Sequence, residues 1–77
     1  MMSFKESAVD MLRKQAETDR LKAISSLKML LDNPAGIGDH STGDLYDNLN
    51  ESLSLLADAN DRLDTLKNER VFHSENE

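Results

Sequence analysis

Apolar residues recur at three- and four-residue intervals along two long stretches of this chain, and the pattern stops in a short window between them. In the first stretch Val9, Leu12, Ala16, Ala23, Ile24, Leu27, Leu30 and Leu31 fall on one face of a helix. In the second, Leu45, Leu49, Leu53, Leu56, Ala59, Leu63 and Leu66 do so, with Tyr46 and Leu55 at the two rims and Asp44, Asp47, Glu51, Asp58, Asp61 and Glu69 on the other side. The single proline and all three glycines lie between Pro34 and Gly43, so both flanking stretches are free to be helical.

The ends of the elements are marked by residue type. Ser3 followed by Glu6 is the pair that satisfies free amides reciprocally at a helix start. Pro34 pushes Asn33 out of helical geometry and stops the first helix near Asp32. Ser41 or Thr42 caps the second helix, and Asp44 suits the positive end of its dipole. The chain is therefore predicted as one domain, 1–77: helix at about 3–32, loop at 33–43, helix at about 44–70 and a frayed tail at 71–77. Two helices of matched length joined by a short loop form an antiparallel hairpin of the all-α class.

Folding the chain about its loop makes facing residue numbers sum to about 75. Val9 then meets Leu66, Leu12 meets Leu63, Ala16 meets Ala59, Ala23 meets Ser52, Leu27 meets Leu49 and Leu30 meets Leu45. Large residues oppose large ones at both ends, and small ones meet in the middle, where the backbones can approach closely. Arg20 interrupts the apolar arc of the first helix, so it must lean out along its stem or reach a carboxylate, with Asp19 or a second copy's Asp64 as the acid.

The apolar arc of the second helix spans nearly half its circumference, wider than one neighbour covers. A chain this short cannot offset the ordering of its residues with one helix–helix seam. The expected remedy is a homodimer, two hairpins making a four-helix bundle, with Arg20, Ile24, Leu49, Leu53, Leu55, Leu56 and Leu63 at the interface.

Composition narrows the chemistry. There is no cysteine, which excludes disulfides, thiolate metal sites and a thiol nucleophile. Nine basic residues against fifteen acidic ones leave a net charge of −6, which opposes direct binding to nucleic acid or to anionic membrane. The balance is lopsided: residues 1–38 carry six bases and five acids, residues 39–77 three bases and ten acids. No apolar run approaches the roughly 20 residues of a membrane span, and no signal peptide opens the chain, so a cytoplasmic location is expected.

Three constellations invite a chemical role, and each has a plainer explanation. The glycines of the loop lie beside a helix start, yet no strand precedes them, no lysine follows the last one, and Asp39 and Asp44 would repel a phosphate. Asp39 and His40 could begin a metal site, but two histidines in the whole chain leave too few strong ligands. Asp58, Asp61 and Asp64 resemble magnesium-binding helical motifs, but the wheel turns Asp58 and Asp61 away from the leucines and toward water. No catalytic residue, metal or cofactor is expected, and the chain reads as a non-enzyme.

The segment Asn33-Pro34-Ala35-Gly36-Ile37-Gly38-Asp39-His40-Ser41-Thr42, with Asp44, Tyr46, Asn48-Leu49 and the Leu56–Leu63 stretch behind it, resembles small uncharacterised helical proteins of T-even-like tailed bacteriophages. The resemblance covers most of the chain and implies an accessory protein in the infected bacterial cytoplasm. The expected role is then interaction: a self-associating bundle that binds another phage or host protein through its loop end and acidic face. Gly36, Gly38, Asp39, His40 and Ser41 form the candidate contact region, with Tyr46 as an aromatic anchor. The alternative is that the acidic face imitates the phosphate rows of DNA and occupies a host nucleic-acid-binding protein.

Overall fold

A computed structural model describes residues 2–32 and 42–73. Helix α1 spans Phe4–Asp32 and helix α2 spans Thr42–Asn68; a 3-10 turn at Arg70–Phe72 follows, and no strand occurs among the described residues. Among these residues no helix is long and apolar enough to cross a membrane.

The start of α1 is held as its residue spacing dictates. The Glu6 amide donates to Ser3 Oγ at 3.1 Å while the Ser3 amide donates to Glu6 Oε1 at 3.3 Å, and the Ser7 amide reaches the Ser3 carbonyl at 3.0 Å. Two amides that a helix start leaves without intrahelical partners are thereby satisfied. Ser3→Ala removes the side-chain acceptor and is expected to lower stability by about 1 kcal/mol in urea denaturation; a loss too small to measure would show that the cap contributes nothing.

The two helices run antiparallel, since contacts between them climb one helix as they descend the other. Lys5 Nζ donates to the His73 carbonyl at 2.6 Å, Arg62 Nη2 to Asp19 Oδ2 at 2.7 Å, and Arg20 Nε to Asn60 Oδ1 at 3.2 Å. The hairpin measures 55 × 21 × 15 Å, so its length is set by the helices and its thickness by a single layer.

The seam is built on alanine. Ala16, Ala23 and Ala59 are 0% exposed and are the fully enclosed apolar residues among those described. Small side chains occupy the middle of the seam and allow close backbone approach. The register differs from the facing pattern by about one turn: Lys5 with His73, Arg20 with Asn60 and Asp19 with Arg62 have numbers summing to about 80, so Ala59 lies between the levels of Ala16 and Ala23, and not opposite Ala16. Val9, Leu27, Leu30, Leu45, Leu49, Leu56, Leu63 and Leu66 are half-buried around them. Leu12 and Leu31, which belong to the apolar arc by sequence, lie at its rim instead, and Leu31 is 65% exposed. A two-helix seam covers only the strip next to the partner.

The chain end departs from expectation. Val71, Phe72 and His73 are not frayed: Glu69 turns extended (φ −87°, ψ 128°), and the Phe72 and His73 amides reach the Glu69 and Arg70 carbonyls. Continued helix would carry Phe72 to the side away from α1. Breaking at Glu69 lets its ring fold back beside Leu12 and Leu66, where it is half-buried. His73 completes the stop, its Nε2 lying 2.8 Å from the Lys67 carbonyl, one of the groups a helix end leaves open. Burial of one aromatic ring thus outweighs the last turn of α2.

Candidate functional site

Of the contact region expected at the loop end, Gly36, Gly38, Asp39, His40 and Ser41 lie outside the described residues. Tyr46 is placed in the second turn of α2 and is 60% exposed, its ring available at that end of the hairpin.

The interface residues anticipated from the wheel divide between two flanks of the hairpin. Leu53 and Leu55 are about 200° apart on one helix and cannot share a flank. Leu55 borders a groove of about 650 Å³ together with Ser26, Met29 and Leu30 of α1 and Ser52, Glu51 and Asp58 of α2. Leu53 is exposed on the opposite side, where Leu49, Leu56 and Ile24 are half-buried. Leu63 lies on Leu53's side nearer the chain ends, in a groove of about 560 Å³ with Val9, Arg13, Leu66 and Phe72.

Arg20 leans outward and bonds Asn60, so the interruption in the apolar arc is resolved by a neutral partner on α2. The ion pair between the helices belongs to Arg62. Its guanidinium spans Asp19 at 2.7 Å and Asp58 at 3.0 Å, and Gln15 Nε2 donates to the other Asp19 oxygen at 3.1 Å. Asp58 is therefore engaged, although the wheel turns it toward water. The signal for Arg62 was present in the Asp58-x-x-x-Arg62 spacing and in its position one turn from Ala59 at the seam edge. A second cluster lies on α1 alone, where Asp10 accepts from Arg13 and from Lys14 at 3.0 Å, and Arg13 stands 3.7 Å from Glu17.

These contacts tune the carboxylates. The hydrogen bond from Arg62 holds the Asp19 carboxyl below its usual 3.8, helped by Gln15 and by the charges of Arg62 and Lys22, against burial that acts the other way. The same bond raises Arg62, and the bond from Lys14 lowers Asp10. A depressed carboxylate stabilises the fold above its unfolded value and loses that contribution as pH falls through its folded value. Stability is therefore expected to decline below about pH 4, and Asp19→Asn to flatten that decline. Because Arg62 is 36% and Asp19 18% exposed, solvent screening keeps the effect to a few degrees in melting midpoint. Unchanged acid dependence in Asp19→Asn would show that the pair contributes nothing to it.

No family model, curated protein or solved structure matches the chain. What the hairpin does must follow from its own surfaces.

Among the described residues no group of three or more His, Cys, Asp and Glu is placed to hold a metal ion. The grooves run along the seam and are lined by leucines, serines and ion-paired side chains. On the outer side of α2, Asp44, Asp47, Glu51, Asp58 and Asp61 form an exposed acidic row, with Asp64 exposed on the other edge.

Proposed function

We propose that the chain is a non-enzymatic interaction protein: a hairpin that pairs with a second copy as a four-helix bundle and presents its loop end and acidic face to another protein. The observation that carries this is the poverty of the enclosed core. Among the described residues three alanines are fully buried, whereas Met11, Leu21, Met29, Leu31 and Leu53 are all more than half exposed. Full burial of a leucine-sized side chain contributes about 1.5–3 kcal/mol, and a single hairpin leaves most of that unrealised. A second copy supplies the missing cover with no new sequence.

Analytical ultracentrifugation of the full chain tests the first half. A particle of twice the 8.6 kDa chain mass is expected. A helical, cooperatively melting monomer would defeat it.

The contact with another protein is assigned to Gly36, Gly38, Asp39, His40 and Ser41, with Tyr46 as anchor. Likeness of the Asn33–Thr42 segment to small T-even-like phage proteins favours a phage or host partner in the infected cytoplasm. Replacing Asp39 and His40 together is expected to preserve the bundle and weaken capture of that partner, and equal capture would reject the assignment. The acidic row favours a second reading, imitation of DNA phosphates toward a host nucleic-acid-binding protein. Such a complex dissociates steeply with salt and yields to competing DNA, whereas a loop-end complex does neither.

A further inference from the structure

We infer that the second copy docks on one particular flank of the hairpin, the one bearing Ile24, Leu49, Leu53 and Leu56, with both loop ends at the same end of the bundle. This rests on the self-association proposed above and adds to it a surface and an orientation.

The two flanks of the seam differ in kind. On one, Asp19, Arg62 and Asp58 form a continuous ionic clasp across the helices, and Glu51 and Asp58 border the adjoining groove. A two-fold contact brings a patch against itself, so this flank would set one acidic row upon another. On the other flank, in the half nearer the loop, Ile24, Leu49 and Leu56 are half-buried and Leu53 is 56% exposed. A face 55 Å long and 21 Å wide offers more than the roughly 800 Å² per partner that a stable pair uses.

Orientation follows from how that flank changes along its length. Toward the chain ends its exposed positions are Arg13, Arg20 and Asn60, with Arg20 and Asn60 bonded together and Leu63 half-buried. Full antiparallel overlap would lay the leucines of one copy against the arginines of the other. With loop ends together, α1 of one copy lies over α2 of the other at equal height, leucine on leucine.

The chain has no cysteine, so single cysteines introduced for spin labels are unambiguous. Asp61 and Asn68 are exposed and, seven residues apart, point within about 20° of the same direction from α2, the first near the middle of the hairpin and the second near its chain ends. Electron–electron distances measured on Asp61→Cys and Asn68→Cys dimers are expected to agree to within about 5 Å, since an axis along the bundle treats both levels alike. A distance longer at Asn68 by more than that places the loop ends apart and overturns the orientation while leaving self-association intact. The surface is tested by charge. Leu53→Glu is expected to abolish the dimer and Ser26→Glu, on the ionic flank, to keep it. The reverse order, or a dimer surviving both, overturns the assigned flank. A wild-type chain that is monomeric removes the proposed function as well.

Discussion

Ala59→Leu is expected to destabilise the protein by about 1–3 kcal/mol or more. Ala59 is fully enclosed between the helices, as are Ala16 and Ala23 of α1. Three added carbons there have no void to enter, so the helices must separate and the leucines on both sides of the seam lose contact with one another. The matched control is Ala57→Leu, two residues earlier on the exposed side of the same helix, which is expected to stay within about ±0.5 kcal/mol. Both changes cost the helix backbone the same, so urea midpoints of the two variants isolate the packing contribution. Equal midpoints would mean that the helices do not touch at Ala59.

Melting is expected to depend strongly on concentration. If folding and pairing are one event, a hundredfold rise in chain concentration adds about 2.7 kcal/mol of apparent stability. For an unfolding unit of about 150 residues that shifts the midpoint by about 5–10 °C. A lone hairpin has no such dependence, because its unfolding creates no change in particle number. Calorimetry at two concentrations a hundredfold apart decides between them, and coincident curves would exclude coupled pairing. Salt acts in a smaller and separate way. It screens Asp19–Arg62 and the Asp10 cluster, which are partly exposed, and leaves the apolar seam slightly stronger.

Much of the architecture was legible before any coordinates. The Ser3–Glu6 spacing marks the start of α1 because a side-chain oxygen and a carboxylate at that separation fit the open amides of a helix start and little else. Confinement of proline and glycine to residues 34–43 marks the break, since only there is the helical backbone disfavoured. The small-residue layer was legible too, but its register was not: equal helix lengths suggested Ala16 opposite Ala59, whereas the contacts of Lys5 with His73, Arg20 with Asn60 and Asp19 with Arg62 shift the helices by about one turn.

The polar clasp was harder to read. Arg20 draws attention by interrupting the apolar arc, yet a long flexible stem lets it leave the seam and settle on Asn60. Arg62, which sits correctly at the edge of the pattern, makes the interhelical pair instead. Periodicity gives the angle at which a side chain leaves its helix, but the atom it reaches depends on rotamers and on the height of the neighbouring helix. For the same reason Asp58, directed toward water by the wheel, is drawn to Arg62 within its own helix.

The end of α2 shows the limit of local signals. Nothing in Glu69-Arg70-Val71-Phe72-His73 is a helix breaker, and propensity would carry the helix on. The chain stops because Phe72 gains burial against Leu12 and Leu66, residues sixty and six positions away, and because Lys5 and His73 then close the open end of the hairpin. That balance exists only once α1 is in place.

Sequence by itself determined that this protein is two amphipathic helices folded back to back on a seam of small residues, because backbone preference and the 3.6-residue period are properties of consecutive residues. Tertiary structure alone decided which charges meet, where the second helix ends and which flank carries the ionic clasp. Those outcomes depend on distances between residues far apart in the chain, and packing sets such distances while neighbours in sequence do not.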